Sequence, residues 1–384
     1  MNARTRVLHA IEHKPVDRVP LDLGMHTSTG ISAFAYYNLR KHLGLNTEHI
    51  VIADPIQFTP RVDLDVLSLL GCDSVRAMAR WDATHTWNVR EDYIFTIPQT
   101  LTPARQSDGS YAAKRTGVTL KMPAGGFFFD GGWPGFYDCD YEEEMRRLGE
   151  DAKRLYEETD LFIGAGKFSG FFRDSDVNWL CDIMLEPQKI KEQLKTELAD
   201  QKRKFDLYRK HVKHYAQCLF VTSDLGSQQA PLVNPAVYED VVAPVLKEFC
   251  DYIRQNSDYK IFMHCCGSIA PLLPILIDCG IDIVSPVQIS AENMEPEMLK
   301  REFGGKITFW GGGVDTQHVL PHCNIPKIKE NVAKLVETFS PGGGYVFSPV
   351  HNIMGDIEPG KVLAVYEAAR QTGANPAVCA VENE

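Results

Sequence analysis

From residue 141 onward the chain alternates apolar, β-branched stretches with helical ones, and no other feature limits its fold as strongly. Residues 161–166, 219–224, 260–265, 281–287, 307–311 and 344–349 read as strands. Helical stretches near 187–216, 235–256, 270–279, 294–303, 325–338 and 360–371 separate or follow them, and another, beginning at 141, precedes the first. Apolar strands joined by helical crossovers form a parallel sheet covered on its outer face. Two earlier segments, 18–24 and 74–79, bring the count to eight, which predicts an α/β fold, a (β/α)8 TIM-type barrel behind an N-terminal helical segment at 4–12. The competing architecture is a doubly wound open sheet, and the lack of a glycine-rich dinucleotide fingerprint after an early strand disfavours it. The short strands "WNVREDYIFTI", "SYAAKR" and "GVTLKM" read as a small β-meander insertion at about 85–135 that decorates one domain spanning 1–384.

Composition narrows the function classes. A net charge of -11 leaves no large basic face for nucleic acid or anionic lipid. No run of eighteen apolar residues occurs, so no membrane span is expected. The start, "MNARTRVLHAIEHKPVDRVP", lacks an apolar signal core, and the chain reads as cytoplasmic. Ten scattered cysteines, Cys379 the last, are then expected as reduced, mostly buried thiols.

In such a barrel the active site lies at the C-terminal ends of the strands. There the sequence puts His26, Asp224, His264 to Cys266, Ser285, Gln288, Gly311 to Asp315, Ser348, His351 and Asn352. In "KIFMHCCGSI", His264 and Cys266 are two apart, so an extended strand points both to one face and Cys265 to the other. A nitrogen and a thiolate on one face suit zinc, which at catalytic sites takes three protein ligands and keeps a fourth position open. His351 is the best third ligand, with Asp224 and Asp315 as alternatives or as groups orienting a histidine. The plain alternative is a packed thiol beside a hydrogen-bonded histidine. "DTQHVLPHC", with His318, His322 and Cys323, reads as surface loop, and His211 and His214 as a solvated helix face. Phe127 to Phe129 and Trp133 are core or pocket wall, "GGWPG" and "PGGG" are tight turns, and "FWGGG" would let backbone approach a ligand closely.

The segments "VLHAIEHKPVDRVPLDLG", "MHCCGSI", "ITFWGGGVDTQ" and "GYVFSPVHNI" resemble the uroporphyrinogen decarboxylase superfamily, most nearly its corrinoid-dependent methyltransferase branch, over about residues 3 to 371. That resemblance implies a distorted (β/α)8 barrel. True uroporphyrinogen decarboxylases carry an arginine-rich segment after the first strand to grip substrate carboxylates. This chain has no arginine between Arg18 and Arg40, so an octa-acid would be poorly held. The methyltransferase branch binds zinc through a His-x-Cys pair and a later cysteine. His264 and Cys266 match the pair, and His351 stands where the later cysteine is expected.

The expected function is therefore zinc-dependent methyl transfer, with one zinc per chain, between a small methylated ether or alcohol and a corrinoid supplied by a separate corrinoid-binding protein. Zinc can activate a thiol to take a methyl group, or stabilise the oxygen that loses one. A His/Cys/His set donates less electron density than two thiolates, which favours the second. Asp224 and His26 are the expected acid/base or orienting groups, Gln288 and Asp315 the substrate hydrogen-bonders, and Trp179, Phe171 and Phe172 wall or core. The alternatives are a metal-free decarboxylase or lyase on a small acid, with Asp224 or Asp315 stabilising a developing cation, and a corrinoid- or ligand-binding protein without turnover. A homodimer stays open.

Overall fold

The computed structural model describes residues 1–90 and 92–374, and Cys379 lies outside them. Seven parallel strands form one curled sheet: β1 (Ser74–Arg76), β2 (Phe162–Ser169), β3 (Cys218–Thr222), β4 (Lys260–His264), β5 (Ile283–Ser285), β6 (Thr308–Trp310) and β7 (Tyr345–Val346), paired in that order. Helices Tyr141–Glu158, Pro187–Val212, Ala243–Asn256, Leu273–Cys279, Pro296–Phe303, Ile325–Phe339 and Pro359–Gly373 wrap the outside. The predicted helix at 235–256 divides into Pro235–Val241 and Ala243–Asn256, the second opening with a proline in its first turn, where a missing N–H is tolerated.

The expected strand at 18–24 shrinks to a bridge at Leu21, yet it closes the barrel. Asp22 N–H donates to the Phe347 carbonyl beyond β7, and Phe347 N–H donates to Pro20. On the other side Asp73 N–H donates to Leu21, but Leu21 N–H goes to the Asp73 carboxylate rather than to a backbone carbonyl. Pro20 has no N–H to offer, so regular pairing stops there. Side chains take over: the buried Asp73 carboxylate also receives Arg6 at 2.6 Å and Arg18 at 2.7 and 2.8 Å. The result is a distorted TIM-type barrel.

Strand parity sorts the core. Phe162, Cys218, Phe220, Phe262, Ile283, Trp310 and Val346 fill the barrel, and Val7, Ala10 and Ile11 of helix Ala3–Ile11 pack against them from the end where the strands begin. The alternate residues, among them Ile163, Leu219, Val221, Ile261, Met263 and Phe309, pack outward on the helices. Between β1 and Tyr141 the chain makes a hairpin, Thr84–Val89 with Tyr93–Pro98, and a three-stranded sheet of Ala104–Arg105, Tyr111–Arg115 and Val118–Met122. Nine cysteines are free thiols among the described residues. No helix among them is long and apolar enough to cross a membrane.

Candidate active site

Parity in β4 decides which way its last residues point. Phe262 lies in the barrel, so His264, two further on, faces inward too, while Met263 and the buried Cys265 face the helices. In the β3–β4 register Thr222 pairs with His264. Two residues beyond each pair member stand Asp224 and Cys266, on adjacent chains about 4.8 Å apart. Cys266 N–H donates to Asp224 Oδ1 at 2.9 Å, which locks the two exits together. Gly267 follows with φ 89°, and a Cβ there would stand 2.3 Å from the Gly226 carbonyl carbon, so only glycine lets the loops after β3 and β4 touch.

His264 Nε2 lies 3.6 Å from Cys266 Sγ and 3.4 Å from Asp224 Oδ1. One ligand atom from each of the three residues lies within 4.8 Å of the others. A tetrahedral zinc sets its nitrogen and sulfur ligands about 3.5 Å apart and its nitrogen and oxygen ligands about 3.3 Å apart. The spacings therefore fit a zinc ion, and thiolate plus carboxylate would neutralise its charge. The site is open on one side, since the Asp224 side chain is 37 % exposed and Cys266 half-buried, while the His264 side chain is 9 % exposed.

The other face of His264 is held from across the mouth. Ser28 Oγ lies 3.0 Å from His264 Nδ1 and 2.8 Å from His26 Nδ1. Ser28 N–H also donates to His26 Nδ1, at 3.2 Å, so that nitrogen carries a lone pair. The single hydroxyl proton then goes to His26, and Ser28 Oγ accepts from His264 Nδ1–H. This leaves the His264 Nε2 lone pair aimed at Cys266 and Asp224, as a metal ligand requires. His26 stacks on His264 with ring centroids 4.9 Å apart and also packs on Phe220 and Phe262.

Electrostatics follow from burial and chiefly from the Asp224 carboxylate. Burial pushes the Asp224 carboxyl up, but the Cys266 N–H and, when the metal-free site leaves His264 protonated on both nitrogens, the His264 hydrogen bond and charge outweigh it and hold it well below the usual range. Burial, then the Asp224 charge, pushes the Cys266 thiol far up. Burial and the neighbouring His264 keep His26 neutral. His351 is lowered to about 4 by burial and then by His264.

Of the predicted residues, the structure brings His264, Cys266, Asp224 and His26 together. His351 feels the charge of both His264 and Asp224 but is not one of the three clustered ligands; β7 is three strands from β4, whereas β3 is its neighbour. Gln288 Oε1 accepts from Gly267 N–H at 2.9 Å, and its amide donates to Gln228, so it buttresses the loop after Cys266. Asp315 turns to its own loop, accepting from Gln317 and His318 N–H and pairing with the His318 ring at 3.0 Å. Phe171 packs on Phe249 in the helical layer, and Phe172 packs on Trp179 and Tyr238, so all three belong to core between sheet and helices. The glycines of "FWGGG" serve internal packing, since a Cβ on Gly313 would fall 2.2 Å from the Phe347 ring.

Two adjoining cavities open at the mouth. One of about 280 Å³ is lined by Phe127 to Trp133, His351, Asn352 and Met354. The other, about 200 Å³, is lined by His26, Asp54, Arg76, Trp133, Phe136 and Lys167, among others. They share Ile56 and Trp133. Sequence reasoning missed Ser28, Arg76 and Lys167. Ser28 carries no signal of its own, but a cation interrupting an apolar strand, as in "SVRAMA" and "FIGAGKFS", is a legible one.

The sequence model of the family described as uroporphyrinogen decarboxylase (URO-D) matches residues 178–372. None of the curated proteins matches the chain. Among solved structures, a methyltransferase from Methanosarcina mazei superposes with a TM-score of 0.59 at 19% identity, covering 97% of this chain and 99% of that one, and so shares its fold.

Proposed function

Because the chain belongs to the uroporphyrinogen decarboxylase (URO-D) family, we propose that it is a methyltransferase of the corrinoid-dependent kind. It would hold one zinc ion on His264, Cys266 and Asp224 and move a methyl group from a small methylated ether or alcohol to a corrinoid on a separate protein. The observation that carries this reading is the triangle of nitrogen, sulfur and oxygen at the barrel mouth, with both edges from the His264 nitrogen of tetrahedral length and one side open. A methyltransferase with the same fold supports it. His351 is kept as a group near the substrate rather than a ligand.

When bound, zinc supplies Lewis acidity at the oxygen that loses its methyl group, and a carboxylate in place of a second thiolate leaves it the more acidic. The chain's own residues do the rest. Ser28 fixes the His264 tautomer, and the Cys266 N–H orients Asp224. His26, with Nδ1 taken by Ser28, has its N–H at Nε2 to donate to a substrate oxygen in the adjoining cavity. The Phe127 to Trp133 segment covers the apolar cavity and limits water there. The C–O bond breaks with its electron pair on oxygen, the methyl carbon bonds to the reduced corrinoid, and the alkoxide takes a proton from solvent.

The test is metal analysis of the purified, zinc-loaded protein, followed by visible spectroscopy of cob(I)alamin mixed with it and a panel of methyl ethers. One zinc per chain, lost in His264→Ala and Cys266→Ser, with conversion to methylcobalamin, is expected. A protein that takes up no zinc would overturn the metal reading and favour a metal-free decarboxylase.

A further inference from the structure

The cavity beside His26 is lined by two cations that no hydrogen bond or ion pair holds. Arg76 ends β1, and Lys167 lies on β2, the strand paired with it. Among the described residues neither makes a hydrogen bond or ion pair to another. Lys167 Nζ has only the Trp133 ring, at 5.5 Å. Other sequestered arginines are treated differently: Arg6, Arg40 and Arg61 each end on aspartates at 2.6 to 2.9 Å. Asp54 lines the same cavity and attracts both cations, yet its Oδ1 is taken by the N–H groups of Ile56 and Gln57. Two positive charges thus face the one carboxylate in the cavity wall, and Lys167 also feels Asp224 from the neighbouring site, but neither cation is bonded to a carboxylate.

Burial lowers the pKa of both Arg76 and Lys167, while Arg76 is only half-buried and the Lys167 side chain is open to the cavity, so a ligand can reach both. Trp133, Phe136 and Phe220 make the rest of the wall apolar. We propose that Arg76 and Lys167 seat one anionic oxygen group, a carboxylate or a phosphate, of a small organic molecule whose apolar body lies against Trp133 and Phe136. His26 lines the same cavity and stacks on His264, which joins the seat to the candidate metal site. Resting on the function proposed above, this makes the methyl donor an organic anion rather than a neutral alcohol or ether. The seat lies apart from the stretch between Arg18 and Arg40, which holds no arginine.

The experiment uses the full chain, without zinc or corrinoid, and measures calorimetric affinity for benzoate, phenylphosphonate and benzyl alcohol at low salt. Wild type is expected to bind at least one of the two acids and to bind benzyl alcohol more weakly than that acid. Arg76→Gln and Lys167→Gln should each weaken the bound acid about tenfold or more, the loss expected for a charge-assisted hydrogen bond. The better of the two acids identifies carboxylate or phosphate as the group seated. Lys167→Gln carries the test alone if the Arg76 variant does not fold, because the Lys167 side chain stands exposed to the cavity. Neutral and anionic probes binding alike, or variants that keep wild-type affinity for the acids, would overturn the seat. Variants that weaken methylcobalamin, whose nucleotide loop carries a phosphate, but not the acids would assign the cations to the corrinoid and overturn it too. Because neither zinc nor methyl transfer is measured, failure here leaves the metal test standing, and failure of that test leaves this one.

Discussion

Replacing Ser28 by alanine removes one hydroxyl and should strike the metal site without touching a ligand. In the wild type Ser28 Oγ is the partner of His264 Nδ1 at 3.0 Å. His26 Nδ1 keeps the Ser28 backbone N–H at 3.2 Å in the variant, so only His264 is orphaned. Ser28 is fully buried and the His264 side chain 9 % exposed, which leaves water little access to the vacated place. An unpaired buried donor costs about 1–3 kcal/mol. At about 1.4 kcal/mol per factor of ten, zinc affinity should fall about 5- to 150-fold. The range overlaps the roughly 10- to 100-fold typical of lost partners to metal-binding histidines. Competition against a chromophoric chelator at fixed pH measures it, and cobalt(II) substitution gives a second readout, since a loosened imidazole should shift the visible bands. Wild-type zinc affinity and an unchanged cobalt spectrum in a folded Ser28→Ala protein would refute the tautomer argument.

Two predictions concern the scaffold. Asp73→Ala leaves Arg18 without a carboxylate, Arg6 with Asp17 alone and the Leu21 N–H without its acceptor where residues 18–22 close the barrel, and should cost about 3–5 kcal/mol, read as a lower urea midpoint; a loss below about 1 kcal/mol would mean the cluster does not hold the closure. Glu12 receives Lys14 and Lys260, whose hydrogen bonds lower its pKa from 4.5 to about 2. A lowered carboxyl pKa stabilises the fold above pH 4.5 and loses that contribution as pH falls toward 2. With Glu12 one-third exposed, Glu12→Gln should cost no more than about 1 kcal/mol at pH 7 and nothing at pH 2 in denaturant titrations, and an equal cost at both would contradict the assignment.

Local rules carried far in this chain. Alternation of apolar strands and helices reaches the barrel because each strand can bury both faces only inside such a layered fold. Period-two parity already sends His264 inward and Cys265 outward, and it needs nothing beyond the spacing of "FMHCC". Residues 18–24 show where such rules stop: carrying Val19, Leu21 and Leu23 at strand spacing, they still make one bridge, because Pro20 lacks a donor and Asp73 intercepts the next N–H.

Which groups meet at the mouth was decided by closure and register. Asp224 joins Cys266 because Thr222 pairs with His264 on the neighbouring strand, a fact of stagger that no single strand encodes. Ser28 reaches a histidine 236 residues away because a barrel brings opposite rims within one side chain's reach. The place of Arg76 and Lys167 is likewise tertiary: sequence shows a cation in an apolar strand, but only the assembled walls show both lining one cavity without a carboxylate bonded to either.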